Sequence, residues 1–255
     1  MAVLSSSLTV NEWHKQFVRQ AKWTAPLRQH LYRKIGIAHF KKALEVGCGT
    51  GVITEELYSK IKGELIGIDC DEKMLEKARN LYPQIEFQKA DAHSLPFSDG
   101  SFDLVYCHFT LLWLKDQGKG LKEMARVTKK GGVILAMAEP DYGGRIDYPE
   151  DLNIGELIVH SLCLEGADPK CGRRLCYLFK EAGFSSEIGV MTSLWDENQL
   201  KEEFESEWEF LFKTLNRVKS EKELKEYQRQ EKIAIPRGER LVFLPIFYAI
   251  GRKVS

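Results

Sequence analysis

Leu44-Glu45-Val46-Gly47-Cys48-Gly49-Thr50-Gly51 sets a short apolar run against three alternating glycines, and the next apolar run, Leu65 to Ile68, ends in Asp69. Glycines packed this densely behind a buried strand make a sharp strand-to-helix turn that lets a ligand approach bare backbone. Strand, glycine turn, helix and a second strand closed by an acid build the crevice that holds a nucleoside. Two details narrow the ligand. Val52 stands where the third glycine of the dinucleotide fingerprint would fall. Glu45, just ahead of the turn, would repel a pyrophosphate but favours a ligand carrying an ammonium and a sulfonium. Both details point to S-adenosylmethionine.

The surrounding pattern agrees with that crevice. Helical spacing of Trp13, Phe17, Ala21, Leu27, Leu31 and Ile35 predicts two helices punctuated by Pro26. Strands are expected at Ala43–Val46, Leu65–Ile68, Ile85–Gln88, Phe102–Cys107 and Val133–Ala138, with helices between them. Asp71 reads as a helix N-cap, and Gly131-Gly132 as the stop of a helix around Leu121, Met124 and Ala125. Alternation of this kind predicts an α/β fold, a Rossmann-like and mostly parallel sheet flanked by helices. Beyond residue 150 the spacing predicts helices over 152–164 and 174–182, a strand over 187–194 and a charged helical stretch over 197–233. A last strand is expected over 240–253, with Pro245 awkward inside it and marking a bulge or a late start. The organisation expected is one domain over 1–255: N-terminal cap helices in 1–36, a cofactor-binding core in 37–150, and an acceptor or cap region with the last strands in 151–255.

Lysine plus arginine and aspartate plus glutamate both number 37, so no global field favours nucleic acid or an anionic membrane. The six cysteines form no dense framework and suit a reducing compartment. The first ten residues lack a basic n-region, and the apolar run from Leu241 to Ile250 is too short to span a bilayer. A cytoplasmic protein without membrane insertion is expected.

Four motifs in order resemble the class I S-adenosylmethionine-dependent methyltransferases, especially the branch with ubiquinone and menaquinone C-methyltransferases. They are the run from Leu44 to Gly51; Ile68-Asp69 with Met74; Ala90-Asp91-Ala92 before Leu95-Pro96-Phe97; and Arg126-Val127 before Gly131-Gly132. The resemblance covers roughly residues 40 to 140 and implies seven strands, the last antiparallel. It implies a transferase that moves a methyl group from S-adenosyl-L-methionine to a small-molecule acceptor, releasing S-adenosyl-L-homocysteine. By the same resemblance Met74 flanks the adenine, and Asp91 with Ala92 meets its amino group.

The residues give each role a plainer alternative. Gly47, Cys48, Gly49 and Gly51 cradle the ligand or merely turn the chain. Asp69, with Cys70 after it, accepts the ribose hydroxyls, although an NAD-linked oxidoreductase would place an acid there too. Glu45 meets the ammonium or bonds nearby backbone; Met74 flanks a base or fills a core gap; Asp91 is a ligand or a turn residue. Cys107, His108 and Phe109 follow the fourth strand at the crevice mouth, where their backbone would touch the methionine part, and His108 is a base or a structural hydrogen-bonder. Glu139, Asp141 and Tyr142 follow the fifth strand and face the same crevice, to position the acceptor or to shape a turn at Gly143-Gly144, with His108 and Tyr142 the candidate catalytic groups. Trp13, His14, Gln20 and Trp23 form a lid or ordinary core. His160, Cys163, Cys171 and Cys176 match no common zinc spacing, so no metal is expected. The helical stripe in 197–233 suits a lid, a homodimer face or core, and a transfer RNA acceptor stands as the rival substrate.

Overall fold

In the computed structural model, residues 8–191 and 195–253 are described. Residues 1–7, on which the expectation about the chain's opening largely rests, lie outside them, as does the 192–194 end of the strand expected over 187–194.

The chain runs α1 (Val10–Ile35), β1 (Lys42–Val46), α2 (Val52–Tyr58), β2 (Glu64–Asp69), α3 (Glu72–Leu81), β3 (Glu86–Lys89), β4 (Phe102–Cys107), α4 (Gln117–Val127) and β5 (Thr128–Pro140). It continues through β6 (Ile146–Tyr148), α5 (Ile154–Leu164), α6 (Leu175–Glu181), β7 (Ser185–Met191), α7 (Glu197–Thr214), α8 (Glu221–Ala234), β8 (Leu241–Phe243) and β9 (Ile246–Arg252). Seven strands form one sheet in the order β3-β2-β1-β4-β5-β9-β7. β3, β2, β1, β4 and β5 are mutually parallel, and β9 runs antiparallel to both β5 and β7. The strand last in sequence is therefore the antiparallel one. Leu44 sits between Ile66 and Val105 in register, and all three are buried because helices cover both faces of the sheet. The strand order reverses between β1 and β4, so the crevice opens at their carboxyl ends.

Three local expectations are corrected. Pro26 does not divide two helices: α1 is continuous, with Pro26 inside it. Proline removes the donor to the Lys22 carbonyl, and the helix runs on past it because apolar residues on both sides, from Ala21 to Ile35, pack into the core. Gly131-Gly132 does not end α4. That helix stops at Val127, where Thr128 is already extended and bonds its hydroxyl back to the Met124 carbonyl at 2.7 Å. The two glycines serve an irregular stretch of β5 instead, and a Cβ on Gly132 would stand 2.9 Å from the Asp103 carbonyl oxygen. The stretch over 240–253 is two strands, since Pro245 falls between β8 and β9, while β8 pairs with β6 in a separate ribbon.

α7, α8, α5 and β8 enclose a second apolar cluster centred on Trp208, apart from the sheet core. An ionic knot ties it together. Arg240, its side chain sealed from solvent, donates to Glu231 and to Asp147, each at 2.6 Å. Trp208 Nε1 donates to the other Glu231 oxygen at 2.7 Å, and Arg145 Nε donates to Asp147 at 2.9 Å. No helix among the described residues is long and apolar enough to cross a membrane. Removing one partner from such a knot leaves charge buried and uncompensated. Arg240→Met is expected to destabilise the protein by about 3–5 kcal/mol, read as a lower urea midpoint. An unchanged midpoint would show that the knot contributes nothing.

Candidate cofactor and acceptor cavity

Gly47 and Gly49 have φ of 75° and 52°, left-handed values that side chains disfavour. The space beside them is also taken: a Cβ on Gly47 would stand 2.4 Å from Thr110 Cγ2, and one on Gly49 would stand 2.7 Å from the Phe17 ring. The Gly47 and Cys48 amides donate to the Ile68 carbonyl at 2.8 and 2.9 Å, pinning the turn to the end of β2. Asp69 completes the clasp. One carboxylate oxygen accepts the Gly49 amide and the other accepts the Asp71 amide, both at 2.9 Å. Each oxygen has two lone pairs, so each retains one for a ligand hydroxyl. Burial pushes the Asp69 carboxyl up, and the backbone donors oppose that rise.

Glu45 is buried beneath the turn, accepting Thr54 Oγ1 at 2.6 Å and the Tyr106 hydroxyl at 3.1 Å. Its partners are side chains, not the backbone that the plainer sequence reading gave it. Burial pushes its carboxyl up to about 8 despite these two donors. Glu45, Gly47, Cys48, Gly49, Asp69, Cys70 and Met74 all line one cavity of about 150 Å³. Gly51, Asp91, Ala92 and Cys107 do not line it. Gly51 is the N-cap of α2, and Asp91 Oδ1 accepts the amide and Nδ1 of His93, at 3.0 and 2.8 Å, in a tight turn. Ala92 and Cys107 are buried.

Past β4 the chain bends at Phe109, the one non-glycine residue with positive φ (53°) among the described residues. Glu139 holds that bend: its two oxygens accept the amides of Thr110 and Leu111, each at 3.1 Å. The sequence placed Glu139 and Asp141 facing the crevice, yet neither lines the cavity. Glu139 is fully buried, with its carboxyl raised to about 7 by burial, and Asp141 pairs with Arg173. His108 and Tyr142 both line the cavity. Burial, with Arg28 adding to it, holds the His108 imidazole well below its ordinary range, and burial raises the Tyr142 phenol. Both are therefore neutral near pH 7.

The other walls come from the caps. Trp13, Gln16, Phe17, Gln20 and Trp23 descend from α1, and His14 reaches the Thr50 hydroxyl at 2.8 Å. Arg19 joins α1 to α7 by pairing with Glu203 at 2.8 Å and Glu207 at 2.6 Å. Sequence reasoning missed Arg145, Trp195, Glu207 and Phe210 as cavity residues. The spacing of Phe204, Trp208 and Leu211 marks a buried helix face, but Phe210 and Glu207 sit on its flank, which periodicity assigns to solvent. Of the cysteines once weighed as metal ligands, Cys171 is buried while Cys163 and Cys176 are exposed, and all are free thiols. Among the described residues no three such side chains gather to hold a metal.

The residues present suit S-adenosylmethionine: bare backbone at Gly47 and Gly49, a carboxylate with lone pairs for a ribose diol, and a buried acid beside the turn.

Residues 44–136 match the methyltransferase domain family. The chain is 37% identical over 129 residues to a demethylmenaquinone methyltransferase of Geobacillus stearothermophilus, covering 48% of this chain and 53% of that protein. It is 30% identical over 168 residues to an uncharacterized methyltransferase of Schizosaccharomyces pombe, covering 60% of each. The chain thus spans about half the length of the curated relatives it matches. Among solved structures it is similar to a Haemonchus contortus phosphoethanolamine N-methyltransferase bound to S-adenosylhomocysteine, with TM-score 0.61, 17% identity, and 93% of this chain and 57% of that one covered. Residues 44–136 thus match the methyltransferase domain family, and the sheet that carries them shares its fold with that Haemonchus contortus enzyme.

Proposed function

We propose that this chain transfers a methyl group from S-adenosylmethionine to a small organic acceptor that sits under α1 and α7. The observation that carries the reading is the clasp of Asp69 on the Gly49 amide, at the mouth of a cavity that continues into an aromatic-walled chamber. The match to demethylmenaquinone methyltransferase supports an acceptor of that general kind, a flat apolar body that carries polar groups. Trp13, Trp23, Trp113, Trp195 and Phe210 would cover such a body, with Arg145 and Glu207 at polar positions.

The cofactor supplies an activated methyl on a positively charged sulfur. The chain's own residues have three tasks. Asp69 and the glycine turn hold the nucleoside. Glu45 balances the ligand's positive charge from beneath. The bend at His108, Phe109 and Thr110, fixed by Glu139, sets the direction from which an acceptor reaches the methyl. Transfer would form a bond from an electron pair of the acceptor to the methyl carbon while the carbon–sulfur pair returns to sulfur, and the proton that the acceptor loses would pass to solvent. Alignment of this kind contributes about 7–11 kcal/mol, more than a general base, which adds a factor of about 10²–10⁴. A strong base is therefore not required, consistent with a neutral His108 and a neutral Tyr142.

Two outcomes test this reading. Asp69→Ala removes two hydroxyl-accepting positions and the anchor of the turn, so affinity for S-adenosylhomocysteine should fall roughly 100-fold by calorimetry. Equal affinity in the variant and the parent would reject the ribose role. The second concerns pH. Free Glu45 keeps its proton up to about pH 8, whereas a cation beside it favours the carboxylate. Binding of S-adenosylmethionine should release a proton below that pH, and affinity should rise toward it by up to about tenfold per unit. The free protein has the opposite slope. A carboxyl raised on folding binds its proton more tightly in the native state, so its contribution to stability declines between its unfolded value and about pH 8. Calorimetry in two buffers of different ionisation enthalpy counts the protons, and Glu45→Gln should abolish the release; release that persists in that variant removes Glu45 from the account.

A further inference from the structure

The Thr24 hydroxyl makes three close contacts: 2.7 Å to the Gln20 carbonyl, 2.5 Å to Arg28 Nη1 and 2.9 Å to His108 Nε2. It has one proton to give. Arg28 only donates and a carbonyl only accepts. If that proton went to His108, the hydroxyl and the Gln20 carbonyl would oppose lone pairs at 2.7 Å in a place sealed from solvent. Every contact has a proton in one arrangement only. Thr24 donates to Gln20 and accepts from both Arg28 and a His108 Nε2–H.

The proton of His108 thus lies on Nε2, and Nδ1 keeps a bare lone pair. Among the described residues Nδ1 has no hydrogen-bond partner. His108 lines the cavity while Thr24 does not, and the unpartnered Nδ1 is not among the polar atoms sealed from solvent, so it belongs to the open side. A second proton is opposed by Arg28, itself buried and held by Glu56 through Nε at 3.0 Å and Nη2 at 2.5 Å. We infer that Thr24 and Arg28 are positioning residues that lock His108 as the Nε2–H tautomer, so that Nδ1 accepts a hydrogen bond from an N–H, O–H or S–H on the methyl acceptor.

The lock follows from α1, α2 and the residue after β4; what Nδ1 meets rests on the methyl-transfer reading. The role is that of an orienting acceptor rather than a proton store. It turns the X–H bond toward His108 and so aims the remaining lone pair of X at the methyl carbon. Thr24 and Arg28 touch neither substrate nor cofactor in this scheme, and they act only through the imidazole.

The test is nitrogen-15 NMR of protein labelled at histidine, with the His108 signals assigned by their loss in His108→Gln. The parent protein should show one protonated nitrogen, Nε2, unchanged between about pH 6 and 8. Thr24→Ser should keep that pattern, and Thr24→Val should replace it with a mixture of tautomers. An Nδ1–H tautomer or an imidazolium in the parent protein overturns the inference, as does a Thr24→Val pattern identical to the parent's. S-adenosylhomocysteine titrated into the same samples separates the two levels. A parent protein that keeps the Nε2–H tautomer but binds no S-adenosylhomocysteine supports the lock and counts against methyl transfer alone.

Discussion

One carboxylate joins the parts on which everything else depends. Asp69 ends β2, yet its oxygens hold the turn after β1 and the start of α3. Two crossovers of the sheet are thereby fixed to each other at the switch point, where the strand order reverses. A carboxylate with both oxygens on backbone donors cannot swing away, so any ligand that uses its remaining lone pairs meets a rigid surface. The glycines complement this. At Gly47 and Gly49 the backbone is left-handed and a methyl group would collide with Thr110 or Phe17, so no side chain stands between backbone and ligand.

The caps then decide what reaches that surface. α1 packs the C-terminal half of its inner face into the sheet core and turns its N-terminal half over the glycine loop, where Trp13, Phe17 and Phe210 cluster with ring centroids 5.6 to 5.9 Å apart. Arg19 binds this half to α7, a separate cluster held by the Arg240 knot. These walls lie mostly outside residues 44–136, which carry the family match. The core can stay constant while the chamber changes.

Much of this was legible in the residues. The glycine run and Asp69 specify a strand-turn-helix clasped at the end of the second strand because few other residues permit that backbone path. The parallel sheet followed from alternating apolar runs and helical spacing, and Phe102–Cys107 was placed to the residue. The errors came where a local signal met a tertiary contact. Proline normally ends a helix, but α1 buries residues on both sides of Pro26 in the sheet core. Paired glycines normally stop a helix, but here they admit the Asp103 carbonyl in a strand. The cavity walls from α5, α7 and β8 were not legible, since a pocket is made by segments distant in sequence. Periodicity reports which side of a helix is buried and not what lies across from it. The positive φ of Phe109 and the hydroxyl relay from Thr24 to His108 have no sequence signature at all.

The most direct measurement of the central claim is a crystal structure of the protein soaked with S-adenosylhomocysteine. The account predicts both ribose hydroxyls within hydrogen-bonding distance of the Asp69 oxygens and the amino acid end beside the Gly47–Gly49 turn above Glu45. A nucleoside bound elsewhere, or an Asp69 carboxylate that keeps only its two backbone donors while the ligand fills another cleft, would contradict it.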